Sequence, residues 1–560
     1  MLTRRPTGHS HPDGGRSLDR REALAAASGC LLGAGRAGAA AAGADKPVAG
    51  PGRVVGWPEA AKAGEEVLAA GGNAVDAIVT AALVASVVAP QMCGPGGYGG
   101  HFVAAVEGGK KVVGIDFNTA APAAAKPDLF PLDEKGQVKG HVNQFGWLAA
   151  GVPGILAGAQ LALNRFGTRT LAAAVQPAIR YARDGFPVGQ GLANSINSVR
   201  GQIARDPATA QLLLADGNPP KAGTVLKNPD LAAMLETLAK RNSVDSFYRG
   251  DIAGRIAAAF RQNGGLVTAA DLAAYHAREV EPLELTWRGL SVRTPPPTAG
   301  GLTVLETLAI LKTLGWEKWD RRDPRSLRAQ LEALRLAWDD RLRYLGDPQK
   351  ADVPIGRLLG DEHARELAGR VERALRDGKP VDARTDGRPA GGTVHLSSAD
   401  ARGDFAALTL THGGSFGAAV TVPGLGLTLG HGMSRFDPRP DHPNAPGPGK
   451  RPLHNMCPTV VLRDGKSVLA LGGRGGRKIP NAVLEVLALV VGHDLPPDQA
   501  VAAPRLHTEG GLEVDLEAAW SEAEVGRLKE AGYTVKRGPS ATVSAVWADA
   551  GTGMIRTASR

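Results

Sequence analysis

Cysteine is almost missing from this chain, with three in 560 residues. Cys93 and Cys457 lie far apart and Cys30 falls in an N-terminal leader, so no disulfide framework holds the fold together. Aromatic residues are scarce at 4%, while Gly (74) and Pro (39) abound. That mixture predicts a core of Ala, Val and Leu interrupted by tight turns. No internal apolar run is long enough to span a bilayer. Despite a formal charge of +9, no dense Lys/Arg run with interleaved aromatics occurs, which argues against a nucleic-acid partner. No Gly-rich phosphate loop follows a first strand, which argues against nucleotide binding. No His/Cys/Asp cluster has ligand spacing, so neither a metal nor another cofactor is implied. What is present, 43% apolar and 22% charged residues, is ordinary globular usage in a chain long enough for more than one domain.

Residues 1–44 read differently from the rest. In "SLDRREALAAASGCLLGAGRAGAAAAGA", Arg20 and Arg21 precede a small-residue apolar segment, and Ala42-Gly43-Ala44 offers a small-x-small cleavage site. This is the pattern of a twin-arginine export signal, expected to send the protein to the periplasm or the extracellular space. A disordered Ala/Gly leader is the alternative, since Arg36 interrupts the apolar segment. Lipid attachment at Cys30 is disfavoured, because Ala27 stands where Leu is expected. The leader carries six Arg against Asp13, Asp19 and Glu22, so its removal lowers the net charge from +9 to about +6.

After the leader, "PEAAKAGEEVLAAGGNAVDAIVTAALVASVVAP" predicts two helices hinged at Gly71-Gly72. Val75, Ile78, Val79, Ala82, Leu83 and Ser86 share one face of the second, which Pro90 stops. The loop "QMCGPGGYGG" leads to a strand over 101–106 and a second strand, "KKVVGIDFN", after a Gly108-Gly109 turn. The stretch 151–310 reads as mainly helical, and a further helix is expected over 326–345. A polar linker, "DARTDGRPAGG", ends at "TVHLSSADARGDFAALTLTHGG", where two short strands turn around 400–403. Strands are expected in "TVVLRDGKSVLALGG" and a helix in "PNAVLEVLALVVGH". There is no internal repeat.

The junction Gly392-Thr393 carries the chemistry. If the peptide bond before Thr393 breaks, Thr393 gains a free α-amine whose unperturbed pKa is roughly 8. One residue then supplies both a hydroxyl nucleophile and its general base. The surrounding motifs widen this reading. "GGNAVDAIVTAAL", "GPGGYGG", "DFNTAAP", "GVPGILAG", "FYRGDIA", "TPPPTAGG", "RYLGDP", "GGTVHLSSAD", "PGKRPLHNMCPTVVL", "LGGRGGRKI" and "APRLH" follow one another in order from about Val54 to the C-terminus. In this order the chain resembles the γ-glutamyltransferases, or glutathione hydrolases, of the N-terminal-nucleophile hydrolases.

The resemblance implies an α+β fold, a four-layer αββα sandwich. It also implies self-cleavage at Gly392-Thr393 into a 45–392 segment and a 393–560 segment that stay together as a heterodimer in one body. It makes Thr393 the nucleophile, Thr411 its hydrogen-bonding neighbour, and Gly475 and Gly476 the backbone N–H donors for a transition-state oxyanion. The substrate clamp departs from the family. Asn118 stands where an Arg grips the α-carboxylate, and Arg435 where an Asp grips the α-amino group. His454 and Asn455 replace two serines, and Gly413 and Gly432 replace two side chains that support the amino group. An Arg at 435 repels an ammonium and suits an acyl group that ends in a carboxylate without an amine, as in relatives acting on glutaryl or oxamate-type amides. It reads equally as a solvated surface Arg. Three functions stay open: an amidase or acyltransferase acting on a small-molecule amide or peptide that is not γ-glutamyl, a true glutathione hydrolase with a rebuilt clamp, or an uncleaved binding homologue.

The leader generates one test. Replacing Arg20 and Arg21 by Lys should hold the protein in the cytoplasm, untrimmed, on fractionation and N-terminal sequencing. Continued export and trimming near Asp45 would sink the twin-arginine reading.

Overall fold

A computed structural model describes residues 50–385 and 392–560. The expected export signal and linker residues 386–391 lie outside the described residues. Two six-stranded sheets are built from twelve strands. These are β1 (Gly52–Val55), β2 (Gly99–Val106), β3 (Lys111–Asp116), β4 (Arg278–Val280), β5 (Leu283–Trp287), β6 (Leu290–Thr294), β7 (Gly392–Asp400), β8 (Phe405–Gly413), β9 (Thr459–Arg463), β10 (Lys466–Arg474), β11 (Thr542–Ala548) and β12 (Ile555–Ser559). The first sheet runs β1-β7-β8-β2-β3-β4 and the second β12-β11-β10-β9-β6-β5, every neighbour antiparallel.

Side-chain alternation along the strands creates the layers. Val103 and Ala105 of β2, Phe405 and Ala407 of β8, Val460 and Leu462 of β9, and Ala470 of β10 meet in one cluster between the sheets. Phe102 and Ala104 of β2 and Ala406 and Leu408 of β8 point the other way, into a helical layer. On the far side Val461, Leu469 and Leu471 join a second helical layer. The molecule is therefore an αββα sandwich.

The first helical layer begins with α1 (Pro58–Ala69) and α2 (Ala74–Val88), separated at Gly71, whose φ of 82° suits a residue without a Cβ. Asn73 and Asp76 cap α2 reciprocally, each side chain accepting the other's backbone N–H. The periodicity predicted one buried face for α2, but all its residues are buried, because it packs under the first sheet and among other helices. Strands β4 to β6 were missed inside a stretch read as helical. They are short, and the Arg288-Gly289 turn between β5 and β6 has positive φ at both residues.

The second helical layer includes α3 (Gly301–Thr313), α4 (Pro324–Tyr344) and α5 (Asp361–Asp377). These three helices bring Glu306, Asp340 and His363 together, a grouping that could hold a metal ion and that sequence spacing does not reveal. In the structure the three satisfy one another, with His363 Nε2 2.7 Å from Asp340 and 3.3 Å from Glu306. Those bonds raise His363 to about 9. No helix among the described residues is long and apolar enough to cross a membrane.

A buried ionic tie joins the parts of the chain before and after residue 393. Arg451 lies 3.0 Å from Asp116 at the end of β3 and donates to the carbonyls of Asp116 and His276 at 2.8 and 2.6 Å. Its own N–H reaches Asp347 at 3.0 Å. Burial pushes the Asp116 carboxyl up, but Arg451 and the other partners outweigh it and hold it below its ordinary value. Removing one partner of such a pair typically costs about 3–5 kcal/mol.

Candidate active site

Thr393 is the second residue of β7, 4% exposed, on the same strand face as His395, Ser397 and Ala399, the face between the sheets. His395 accounts for its own burial by hydrogen bonds to Thr409 (2.8 Å) and Ser397 (2.9 Å). The opposite sheet leaves room for it at Gly472, where a Cβ would sit 2.4 Å from the imidazole.

The β7–β8 ladder pairs Thr409 with His395 and Leu410 with Val394, then slips by one residue to pair Gly413 with Gly392. Such a bulge re-aims the side chain beside it. Here it turns the Thr411 hydroxyl onto the carbonyl of Gly392, the carbonyl of the bond expected to break. The Gly413 N–H donates to Thr411 Oγ1 at 2.7 Å, so the hydroxyl's own proton is directed at Gly392. That contact polarises the Gly392 carbonyl.

A small cleft opens here, lined by Tyr98, Thr393, Thr411, Gly413, Arg435 and Asn455, together with Met456, Gly476 and Ile479. Gly475 (φ 139°) and Gly476 (φ 64°) follow β10 just past its last pair with β11, Arg474 with Thr542. A Cβ at 475 would lie 2.9 Å from Ala541. Their N–H groups therefore fall outside the ladder, ahead of a 3-10 turn and the helix Ile479–Leu487.

Arg435 ends a short 3-10 turn, Gly432–Arg435. Among the described residues it has no carboxylate partner, and its Nε is buried without an acceptor. Around it the imidazoles are neutral. His431 donates from Nδ1 to Gln144 O at 2.9 Å and accepts the Gly414 N–H at Nε2. Burial, reinforced by Arg435, pushes it down to about 3.

The expected site residues divide into two sets. Thr393, Thr411, Gly476, Arg435 and Asn455 line one cleft, and Gly475 adjoins it. Asn118 and His454 do not line it. Asn118 is fully buried, its amide donating to Thr298 Oγ1 (2.9 Å) and Pro452 O (2.6 Å). His454 packs between the rings of His101 and Tyr98, centroids 4.6 and 5.8 Å away. Asn455 gives its Oδ1 to Arg341 at 2.9 Å, which leaves its NH2 as the donor end. Sequence reasoning missed Tyr98, the one large side chain in "GPGGYGG", and that contrast was the available signal. A second hollow, around Cys93, Leu213 and Leu231, is mostly apolar and contains neither threonine.

Two sandwiched sheets with a threonine at an inner strand's end make up the arrangement of the N-terminal-nucleophile hydrolases. Within that class the chain belongs to the gamma-glutamyltranspeptidase family, whose model matches residues 60–559. It is 35% identical over 464 residues to a glutathione hydrolase proenzyme of Escherichia coli strain K12, covering 80% of this chain and 79% of that one. It is also 35% identical over 497 residues to the acylase ACY 1 proenzyme of Pseudomonas sp. strain SE83, covering 87% of each. A crystal structure of cephalosporin acylase from Bacillus halodurans superposes with a TM-score of 0.81 at 29% identity, over 91% of this chain and 94% of that one. The protein is an enzyme of this hydrolase and acyltransferase family.

The neutral histidines predict acid sensitivity. Burial lowers His101 to about 4, and His395, His412 and His431 to about 3, from an ordinary 6.5. Below 6.5 only the unfolded chain takes up these protons. The stability they contribute is complete above 6.5 and is lost as pH falls toward the folded values, at up to about 1.4 kcal/mol per pH unit per group. The thermal midpoint should therefore fall between pH 7 and pH 5, and His431→Gln should make the decline shallower. A flat midpoint across that window would show that these groups are not held neutral.

Proposed function

We propose that Thr393 is the nucleophile of an amide hydrolase or acyltransferase, freed by self-cleavage and directed at acyl groups ending in a carboxylate rather than at standard γ-glutamyl amides. The observation that carries the specificity is Arg435, a cation with no carboxylate partner among the described residues, in the cleft that holds Thr393. Glutathione hydrolase and acylase relatives are equally similar in sequence, so identity does not choose between the two substrates.

In self-cleavage the Thr393 hydroxyl attacks the Gly392 carbonyl carbon while Thr411 donates to that carbonyl's oxygen. The C–N bond breaks as the Oγ proton passes to the departing nitrogen, which frees the Thr393 amine and leaves an ester on Thr393 Oγ; water then hydrolyses that ester to a Gly392 carboxylate and the Thr393 hydroxyl. In turnover that amine takes the proton from Oγ as Oγ attacks the substrate carbonyl. The N–H groups of Gly475 and Gly476 hold the oxyanion, an effect of roughly 3–4 kcal/mol per donor. The leaving amine departs with the proton, and water or an acceptor amine releases the acyl group. Export through the Arg20-Arg21 leader places this activity outside the cytoplasm.

Processing gives the first test here. Purified protein should run as segments of 348 and 168 residues, about 36 and 17 kDa of the 57.9 kDa precursor, the smaller beginning Thr-Val-His. Thr393→Ala should stay a single inactive chain. An uncleaved, inactive wild type would favour the binding homologue instead.

Specificity gives the second. Glutaryl and γ-glutamyl anilides differ only by the α-amino group. An unpaired charge in a desolvated pocket costs a few kcal/mol, so glutaryl should lead in kcat/KM by roughly two to three orders of magnitude. Arg435→Ala should collapse that ratio. A wild-type preference for the γ-glutamyl compound would mean a glutathione hydrolase with a rebuilt clamp.

A further inference from the structure

Thr393 has a second flank. In the first sheet β7 lies between β8 and β1, and in the second β10 lies between β9 and β11. The cleft with Arg435 is on the β8 side, since Thr411 and Gly413 of β8 line it, with Asn455 and Met456 just ahead of β9. On the β1 side a different cation stands at the same end of the sandwich. Arg474 is the last residue of β10 and pairs with Thr542 of β11. Gly472, two residues earlier, faces the His395 imidazole across the gap between the sheets, and Gly476, two residues later, lines the cleft with Thr393. Arg474 therefore leaves the strand on the face of Gly472, toward the first sheet, near the level of Thr393.

There its guanidinium meets the ring of Trp57, 5.9 Å from the centroid. Trp57 follows β1, whose end stays against β7, for a Cβ at Gly56 would lie 2.5 Å from the His395 carbonyl oxygen. An arginine against an indole keeps its N–H fork free for a carboxylate. No described residue supplies one. Of the three cations in "RGGRK", Arg477 holds Glu509 at 2.6 Å and Lys478 holds Asp515 at 2.8 Å. Arg474 has no ion pair and no side-chain hydrogen bond among the described residues, and burial alone lowers its pKa, as expected of a guanidinium without an acid beside it. Arg474 and Trp57 are both only half-buried, so a ligand can reach them.

We propose that Arg474 and Trp57 form the subsite for the amine half of the substrate, and that this half carries a carboxylate on an apolar or aromatic body. This rests on the proposed function, in which Thr393 is the nucleophile and the acyl group lies on the Arg435 side. A planar amide with its carbonyl oxygen at the Gly475 and Gly476 N–H groups sends its acyl chain and its nitrogen substituent in opposite directions. With the acyl chain toward Arg435, the nitrogen substituent runs toward β1 and β11, where Arg474 and Trp57 meet. In acylation Thr393 Oγ bonds to the carbonyl carbon, the C–N bond breaks, and the amine leaves with the Oγ proton. In transfer the same subsite seats an acceptor amine. Its nitrogen attacks the ester carbon, the bond to Oγ breaks, and the proton it loses returns to Oγ through the Thr393 amine. Amines that carry a carboxylate are thus favoured over their neutral amides in both directions.

Glutaryl-p-aminobenzoate and glutaryl-p-aminobenzamide share an acyl group and differ in the charge on the leaving amine. Arg474→Gln should lower the carboxylate-to-amide ratio of kcat/KM about tenfold, the size of one hydrogen bond between charged groups. Comparing the two enzymes cancels the intrinsic reactivity of the two amides. Arg474→Lys, which keeps the charge, should retain part of the ratio. The glutaryl to γ-glutamyl ratio should not move, and normal processing on a gel with an unchanged thermal midpoint identifies a folded variant. If Arg474→Gln misfolds, salt reads the site in wild-type enzyme. Raising NaCl from about 50 mM to about 1 M should lower the carboxylate-to-amide ratio severalfold, because a half-exposed pair is screened and the shared acyl end cancels. A salt-independent ratio would overturn the subsite. An unchanged ratio in Arg474→Gln would overturn it too, as would an equal loss on both substrates, which would make Arg474 a support for the neighbouring glycines. In each of these cases a normal glutaryl preference leaves the proposed function standing. A wild-type preference for γ-glutamyl with the Arg474 effect intact would do the reverse, overturning the acyl assignment and supporting the subsite.

Discussion

The whole site hangs on one hydroxyl, that of Thr411, held between the Gly413 N–H and the Gly392 carbonyl. It can be there only because the β7–β8 ladder slips by one residue at that point. The slip in turn needs Gly413 at φ 99°, a conformation that strains any other residue. The sheets supply the rest. β7 and β8 are interior strands of their sheet, so the end of β7 cannot fray as an edge would. The facing strand β10 delivers the glycine pair to the same end of the sandwich. A threonine fixed this way is placed by backbone ladders on rigid elements, the condition under which small errors in geometry are avoided.

Electrostatics around this hydroxyl are sparse. Several buried carboxylates and guanidiniums elsewhere pair off, as Arg451 does with Asp116 and Arg335 with Glu332. Near the cleft burial opposes the charging of the imidazoles, and nearby charges oppose it further, Arg435 at His431, and His101, Arg341 and Arg435 at His454. A lone cation in a region of low polarisability attracts an anion much more strongly than the same cation on the surface. Neutral histidines and an arginine without a carboxylate partner among the described residues are thus two sides of one arrangement, and protonating His431 or His454 would weaken it.

The sequence made much of this legible, for reasons that can be named. The hinge between α1 and α2 was visible because Gly71 has no alternative role. The helix over 324–344 was visible because its periodicity is long. The family motifs carried the αββα fold, and several of them mark turns or strand ends, as GPGGYGG does leading into β2. Three things were hidden. Strands β4 to β6 are too short to stand out among helices. Burial of α2 on all sides depends on neighbours remote in sequence. The close approach of Gly430 to the Tyr98 backbone spans more than 330 residues of chain, from 98 to 430, and no local pattern encodes it.

Asn118 shows why the rebuilt clamp is not a simple exchange of two side chains. The resemblance sets Asn118 against a carboxylate-gripping Arg; here its side-chain amide donates to Thr298 Oγ1 and Pro452 O, and its backbone carbonyl accepts the Tyr275 hydroxyl at 2.7 Å. Its N–H is held by Asp116, the same carboxylate that pairs with Arg451. Placing an arginine at 118 would remove two side-chain hydrogen bonds and bring a second guanidinium beside Arg451. The local charge would then be unbalanced in a fully buried position. Position 118 is thus part of the protein's own hydrogen-bonded core, while Arg435 lines the cleft with Thr393.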